Sequence, residues 1–311
     1  MSDRDASLRI VIGTRGSALA RWQADHVAAV LRAAHPGLTV EQEIIVTEGD
    51  RRSQGLLADF GGKGLWVDEI ERALTEGRVD LAVHSLKDVP AGLAPGLGIV
   101  AIPTRADPRD ALVSRSGAAL ADLPAGARVG TSSLRRVLQV RLLRPDLNVE
   151  VLRGNVDTRL RKVSEGVVDA AVLACAGLDR LGHGARITQR FSTEEMLPAI
   201  GQGALALETR NDDERLRLLC RVMADSAAEA TVAAERALLA GLQAGCRTPV
   251  AGHAEVRDGR LRLRALVGRP DGSEVLREVG EGETSGAAEV GAQVAVRLLA
   301  RGADKILAEL G

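Results

Sequence analysis

Three short stretches hold side chains whose types and spacing suit chemistry. "LQAGCRTPV" (242–250) sets Cys246 in a loop between Gly245 and Arg247, just past a long Ala/Leu-rich stretch. A neighbouring guanidinium favours the nucleophilic thiolate, lowering the thiol from its ordinary pKa of about 8.5. No histidine stands near it in sequence to serve as its base, so two readings stay open: an idle thiol or a covalent attachment point. "HSLKDVP" (84–90) sets Lys87 beside Asp88, with His84 and Ser85 in the same turn. It is either a surface ion pair worth about 0–1 kcal/mol, or a carboxylate held to stabilise a cation or move a proton. "GTSSLRR" (130–136) offers Thr131, Ser132 and Ser133 as helix caps, with Arg135 and Arg136 in the first helical turn. Positive charge there opposes the helix dipole. Two arginines in that turn fit an anion that contacts both, carboxylate or phosphate held bidentately. They also fit a solvated face in an arginine-rich chain.

The elements that must position these residues follow from the apolar pattern. "LRIVIG" (8–13) reads as a strand, broken by "TRGS" with Arg15 and Ser17, then a helix ended by Pro36 and Gly37. Residues 39–47 read as a strand, 65–78 as a helix and 79–85 as a strand. Strand–helix alternation of this kind implies a largely parallel α/β sheet. Residues 101–110 and 196–204 contain prolines and read as crossings between units. Between them the pattern restarts: strands at 127–130, 147–155 and 170–177, with helices between. The two halves can share a fold. The tail differs, with a long helix over 225–245, a hairpin around Asp258–Gly259, a third strand in "SEVLREV" and a terminal helix. The fold class is therefore α/β, with a small C-terminal α+β domain built on a three-stranded antiparallel sheet. In open α/β sheets ligands gather at the carboxyl ends of strands, which is where "GTRGS", "HSLKDVP", "GTSSLRR" and "RGNVDTRL" fall.

Composition bounds the function classes. The 311 residues exceed one ordinary core and predict two or three domains. Net charge is −1, but it is segregated: residues 128–162 hold nine bases against three acids, whereas 271–311 hold eight acids against four bases. Aromatic content of 1% argues against single-stranded nucleic-acid binding, which relies on stacking platforms. No stretch nears the roughly 18 apolar residues of a membrane span, and no export signal is legible at the start. Three cysteines cannot all pair and lack metal-ligand spacing, which favours a reducing cytoplasm and no metal. Cys175 lies at an apolar strand end and reads as an inert core residue; Cys220 lies on a helix. The five histidines show no zinc spacing. "LLADFGGKGLW" lacks the first Gly and the final Ser/Thr of a phosphate-binding loop.

Taken in order, "IGTRGSALARWQA", "GGKGLW", "VHSLKDVP", "GTSSLRR", "LRGNVDTRL", "GQGALA" and "AGCRTPVAGHA" closely resemble the porphobilinogen deaminase family over residues 8–260. The resemblance implies two periplasmic-binding-protein-like lobes with a double crossover: 1–103 with 200–221, and 104–199. A third domain, 222–311, carries the cofactor. It implies head-to-tail condensation of four porphobilinogens with loss of ammonia, giving hydroxymethylbilane, built on a dipyrromethane cofactor joined to Cys246 by a thioether. A thiol used once as an anchor needs no resident base. Six rings would carry twelve carboxylates, so the arginines gain a partner in a cleft between lobes. Matched to the family, Lys87, Thr131, Ser133, Arg135, Arg136 and Arg159 bind cofactor, and Arg15, Ser17, Ser85 and Arg153 bind substrate. Asp88 matches the catalytic aspartate, which stabilises the cationic azafulvene left by ammonia loss. Residues 50–62 resemble a lid, with Gly61, Gly62 and Gly64 as hinges. A monomer without nucleic-acid or membrane partners is implied. Three other functions compete: an anion-binding protein on the same scaffold, a transferase using Cys246 in every turnover, and a nucleic-acid binder drawn by the basic segment.

Overall fold

The computed structural model describes residues 9–49, 67–245 and 248–309. Cys246, Arg247 and the expected lid with its glycines lie outside the described residues. The chain divides into two compact units, Met1–Arg105 with Ala204–Glu229 and Ala106–Gly203 with Ala230–Gly311. The changeovers fall at 105/106, 203/204 and 229/230.

In the first unit, β1 (Arg9–Thr14), β2 (Thr39–Ile44) and β3 (Leu81–Ser85) run parallel, and β10 (Leu205–Arg210) inserts antiparallel between β3 and β4 (Leu97–Ala101). The sheet order is β2-β1-β3-β10-β4. Both faces are covered. Ile10, Ile12, Leu81 and Val83 meet helix α1 (Ala18–Ala34) through Ala24, Val27, Ala28 and Leu31, at helical spacing. Ala82 and Val79 meet helix α2 (Asp68–Thr75) through Ile70, Ala73 and Leu74 on the other side. The Ser17 hydroxyl starts α1 by accepting the Ala20 N–H at 3.3 Å.

The middle segment repeats this plan. β6 (Arg128–Gly130), β7 (Asn148–Glu150) and β8 (Ala170–Ala174) run parallel, and β5 (Asp110–Ser114) inserts antiparallel between β8 and β9 (Gln189–Arg190). The order β7-β6-β8-β5-β9 matches the first sheet position for position. Only the provenance of the antiparallel strand differs: β10 follows the second crossing, whereas β5 follows the first. Along β5, Ala111 and Val113 face one core and Leu112 the other, the period-2 signature of a strand buried on both faces. Helices α3 (Leu134–Leu143) and α4 (Val156–Ser164) supply those two cores. Helix α5 (Cys175–Arg180) begins at Cys175, so the strand expected over 170–177 stops at Ala174.

Helices α6 (Glu214–Cys220) and α7 (Ser226–Gly241) follow β10. The tail forms the antiparallel sheet β11-β12-β13 (Val250–Arg257, Arg260–Gly268, Val275–Glu283) under helices α8 (Ala287–Ala300) and α9 (Ala303–Ala308). Asp258 and Gly259 both take positive φ, 51° and 76°, as a two-residue hairpin turn requires. Helices α7 and α8 approach closely at Gly291, where a Cβ would lie 2.1 Å from the Ala234 carbonyl oxygen. Gly291→Val is therefore expected to cost about 1–3 kcal/mol by overpacking, read as a lowered melting temperature; an unchanged melt would refute the close approach.

Candidate functional site

In the first unit the carboxyl ends of β1 and β3 open onto a pocket lined by Arg15, Ser17, Gln23, His84, Ser85 and Asp88 with apolar Leu19, Val67 and Ile70. Arg15 and Ser17 arrive on the loop between β1 and α1, and Ser85–Asp88 on the turn ending β3. That turn is a single 3₁₀ turn, Leu86–Asp88, fixed by buried Leu86, whose N–H donates to the Ala204 carbonyl at 3.0 Å. Asp88 and Lys87 are both half-buried, and of the two Asp88 lines the pocket. Gln23 is a site residue the sequence analysis passed over. It is 2% exposed on α1, and its Nε2 donates to Ser85 Oγ at 2.7 Å. Its only sequence signal is a polar residue on the buried face of an amphipathic helix.

In the second unit the corresponding strand ends carry Thr131, Ser133, Arg153 and Arg159. Buried Thr131 is locked into the sheet: its N–H donates to Glu150 and its carbonyl accepts from Leu152. Ser133 takes the N-cap position of α3 with extended backbone, but its side chain does not cap; Thr131 Oγ1 accepts the Ser133 N–H at 3.2 Å instead. The "RGN" turn has a local logic. Gly154 adopts φ +115°, and a Cβ there would strike Thr158 Cγ2 at 2.6 Å. Asn155 caps α4 through the Thr158 N–H at 2.9 Å. The Gly154 carbonyl accepts Arg159 Nε at 2.8 Å, and Arg159 Nη2 reaches Ser132 Oγ at 3.3 Å, which joins the two loops. Arg153 is half-buried, and its carbonyl accepts from Lys162.

Arg135 and Arg136 do meet an anion, and it is Asp110. Arg135 and Arg136 are 2% and 5% exposed. Arg135 Nη1 donates to Asp110 Oδ2 at 2.7 Å, and Arg136 Nη2 and Nε donate to Oδ1 at 2.7 and 3.0 Å. Arg135 Nη2 donates to Oδ1 at 3.2 Å, and Gln202 Nε2 adds a fifth contact at 3.0 Å. Arg135 also serves the Leu197 carbonyl and Arg136 that of Val172. Burial pushes the Asp110 carboxyl up, but the two guanidiniums outweigh it and hold the group well below the usual carboxylate range. With its folded pKa depressed, Asp110 contributes stability above its unfolded pKa of about 3.9, and loses it as pH falls towards the folded value. Asp110→Asn is expected to cost about 3–5 kcal/mol at neutral pH, because two buried cations lose their partner. The gap to the parent should narrow below pH ~4. Denaturant melts at pH 7 and pH 3.5 check this; a gap that widens in acid would refute it.

Cys175 and Cys220 are fully buried, and burial foremost raises both thiols to about 12. Neither can act as a thiolate near neutral pH. Among the described residues no group of three or more His, Cys, Asp or Glu is placed to hold a metal ion, and no helix is long and apolar enough to cross a membrane.

Two family models match the chain: porphobilinogen deaminase, dipyromethane cofactor binding domain, over residues 10–218, and porphobilinogen deaminase, C-terminal domain, over 229–300. The porphobilinogen deaminase of Syntrophobacter fumaroxidans is 50% identical over 301 residues, covering 97% of each chain. That of Sorangium cellulosum is 54% identical over 268 residues, 86% of this chain and 89% of the relative. That of Syntrophotalea carbinolica is 50% identical over 305 residues, 98% and 97%. Among solved structures, the methionine binding protein MetQ has 15% identity and a TM-score of 0.44, over 70% of this chain and 90% of that one. With family models matching residues 10–218 and 229–300 and relatives at half identity or more over most of both chains, the chain belongs to the porphobilinogen deaminase family.

Proposed function

We propose that Asp88 is the catalytic group of this enzyme, that Arg15, Ser17, Ser85 and Arg153 hold substrate, and that Lys87, Thr131, Ser133, Arg135, Arg136 and Arg159 hold the dipyrromethane anchored on Cys246. The enzyme is a transferase that joins four porphobilinogens head to tail with loss of ammonia, yielding hydroxymethylbilane on a dipyrromethane cofactor. One observation carries the residue assignment: Asp88 borders the same pocket as Arg15, Ser17 and Ser85. A fixed cation and two hydroxyls suit substrate carboxylates. A half-buried carboxylate at the rim suits the positive charge that develops on the pyrrole as ammonia departs. Turnover of porphobilinogen by Asp88 variants tests it; a parental rate in Asp88→Ala would overturn the assignment.

The residues fit the cofactor. Dipyrromethane needs a thiol to anchor it and cations for its carboxylates. Cys175 and Cys220 are unsuited by burial, which leaves Cys246. When bound, the cofactor supplies the pyrrole position to which the first substrate couples. The second-unit strand ends supply Thr131, Ser133 and the Arg159–Ser132 bridge. Arg135 and Arg136 together set two positive charges against the single carboxylate of Asp110. This leaves a buried positive excess that favours a further carboxylate nearby. On this reading residues 222–311 form the third, cofactor-anchoring domain. The enzyme works as a cytoplasmic monomer with no nucleic-acid or membrane partner; a sedimenting species larger than one chain would count against the monomer.

A further inference from the structure

Beneath the first-unit pocket lies a group of buried ionisable side chains that the assignment of Asp88 does not use. Glu208 sits in β10, in the interior of the sheet, opposite Ala82 of β3 and Ile99 of β4. It is fully buried. The β10–β4 register shifts between Leu207 and Glu208, and such irregularities re-aim side chains and are over-represented beside active sites. Neither carboxylate oxygen of Glu208 finds a well-directed hydrogen-bond donor. His84 Nε2 lies 2.9 Å from Oε2. His84 is 5% exposed and is among the residues lining the pocket with Asp88 and Ser85.

A second buried carboxylate feels the charge of this pair. Glu71 of α2 is 8% exposed and accepts the Ala94 N–H at 3.3 Å. Burial first, then the charge of Glu208, raise its carboxyl above the ordinary range. The charged neighbours are therefore Glu71 from α2, with Asp68 acting on it, Glu208 from β10, and Arg15 and Asp88 as fellow lining groups of the pocket. A central strand accepts such a group only at a cost in stability, and buried ionisable clusters of this kind concentrate at functional sites.

We propose that Glu208 and His84, 2.9 Å apart, form a positioning pair for the reaction at Asp88, with Glu208 orienting the imidazole and, through it, the Ser85–Asp88 turn. The inference rests on Asp88 being the catalytic group. His84 directly precedes that turn, so rotating or removing its ring displaces the backbone that aims Asp88. A displacement of about 1 Å at a reacting group is enough to lower turnover substantially.

Glu208→Gln, His84→Asn, Glu208→Asp and, as control, Asp88→Ala are to be purified with cofactor, its content verified by intact mass. Glu208→Gln and His84→Asn are expected to fold as the parent by circular dichroism. Each should lose about tenfold in kcat with KM within about twofold, the split that marks an effect on the reacting state rather than on binding. The pH at which kcat is half-maximal should move by about half a unit or more. Glu208→Asp, which keeps the charge, should recover the parental profile in part. A folded Glu208→Gln or His84→Asn with parental kcat and pH profile overturns the proposal, as does an activity loss that only tracks loss of folded protein. If Glu208→Gln does not fold, His84→Asn decides: a lowered kcat with a displaced profile supports the pair, and a parental profile assigns Glu208 to stability alone. An active Asp88→Ala would sink the Asp88 assignment and this inference with it. An inactive Asp88→Ala beside unchanged Glu208 and His84 variants would sink this inference alone.

Discussion

Asp88→Ala is expected to lower the rate of porphobilinogen consumption roughly 10³-fold, the scale seen when a preorganised electrostatic stabiliser is removed from a reacting centre. The side chain stands at the end of β3 on a turn pinned by buried Leu86 and by the Leu86–Ala204 hydrogen bond. The alanine variant should therefore fold, and should still carry substrate contacts through Arg15, Ser17 and Ser85. KM should change little while kcat collapses, because the lost interaction matters most when positive charge develops. Asp88→Glu keeps the charge but moves it by one methylene, and about 10²-fold loss is expected from misplacement on that scale. Steady-state assay of hydroxymethylbilane formation distinguishes the two variants. Asp88→Glu falling as far as Asp88→Ala would mean that geometry, and not charge, decides.

Cys246→Ser should abolish the covalent cofactor altogether. The parent's intact mass is expected to exceed its polypeptide mass by one dipyrromethane, and the serine variant should show the bare chain. The expectation is sharp because the other two thiols offer no substitute: Cys175 and Cys220 are enclosed in the cores of separate units, and burial raises both to about 12. A hydroxyl at 246 is also far less nucleophilic than a thiolate. Activity should fall to background, since the first substrate would lack a tethered partner. A serine variant that retained the added mass would move the anchor elsewhere.

Arg135 and Arg136 show how far a local rule reaches. Two cations in the first turn of α3 predict a nearby anion, and the anion exists, but it lies 25 and 26 residues upstream in the same chain. The rule is one of electrostatics and holds for any carboxylate; sequence separation carries no information about which carboxylate folds back to meet it. Gln23 and Glu208 were passed over for the same reason. Each is an ordinary polar residue in sequence, and its importance comes from what β3 brings beside it: Ser85 is 62 residues from Gln23, and His84 pairs with a strand that arrives only after the second crossing.

The parallel units, the two crossings, the Asp258–Gly259 hairpin and the succession of motifs were determined by sequence alone, because helix and strand periodicity, caps and turn residues are local properties of the chain. The antiparallel strands β5 and β10 were not, nor were the partner of Arg135 and Arg136 and the buried His84–Glu208 pair. Those depend on which distant segments pair, and only the closed sheet decides that: strand pairing is a contact between residues far apart in the chain, and the burial that gives a carboxylate its unusual chemistry does not exist until the sheet forms.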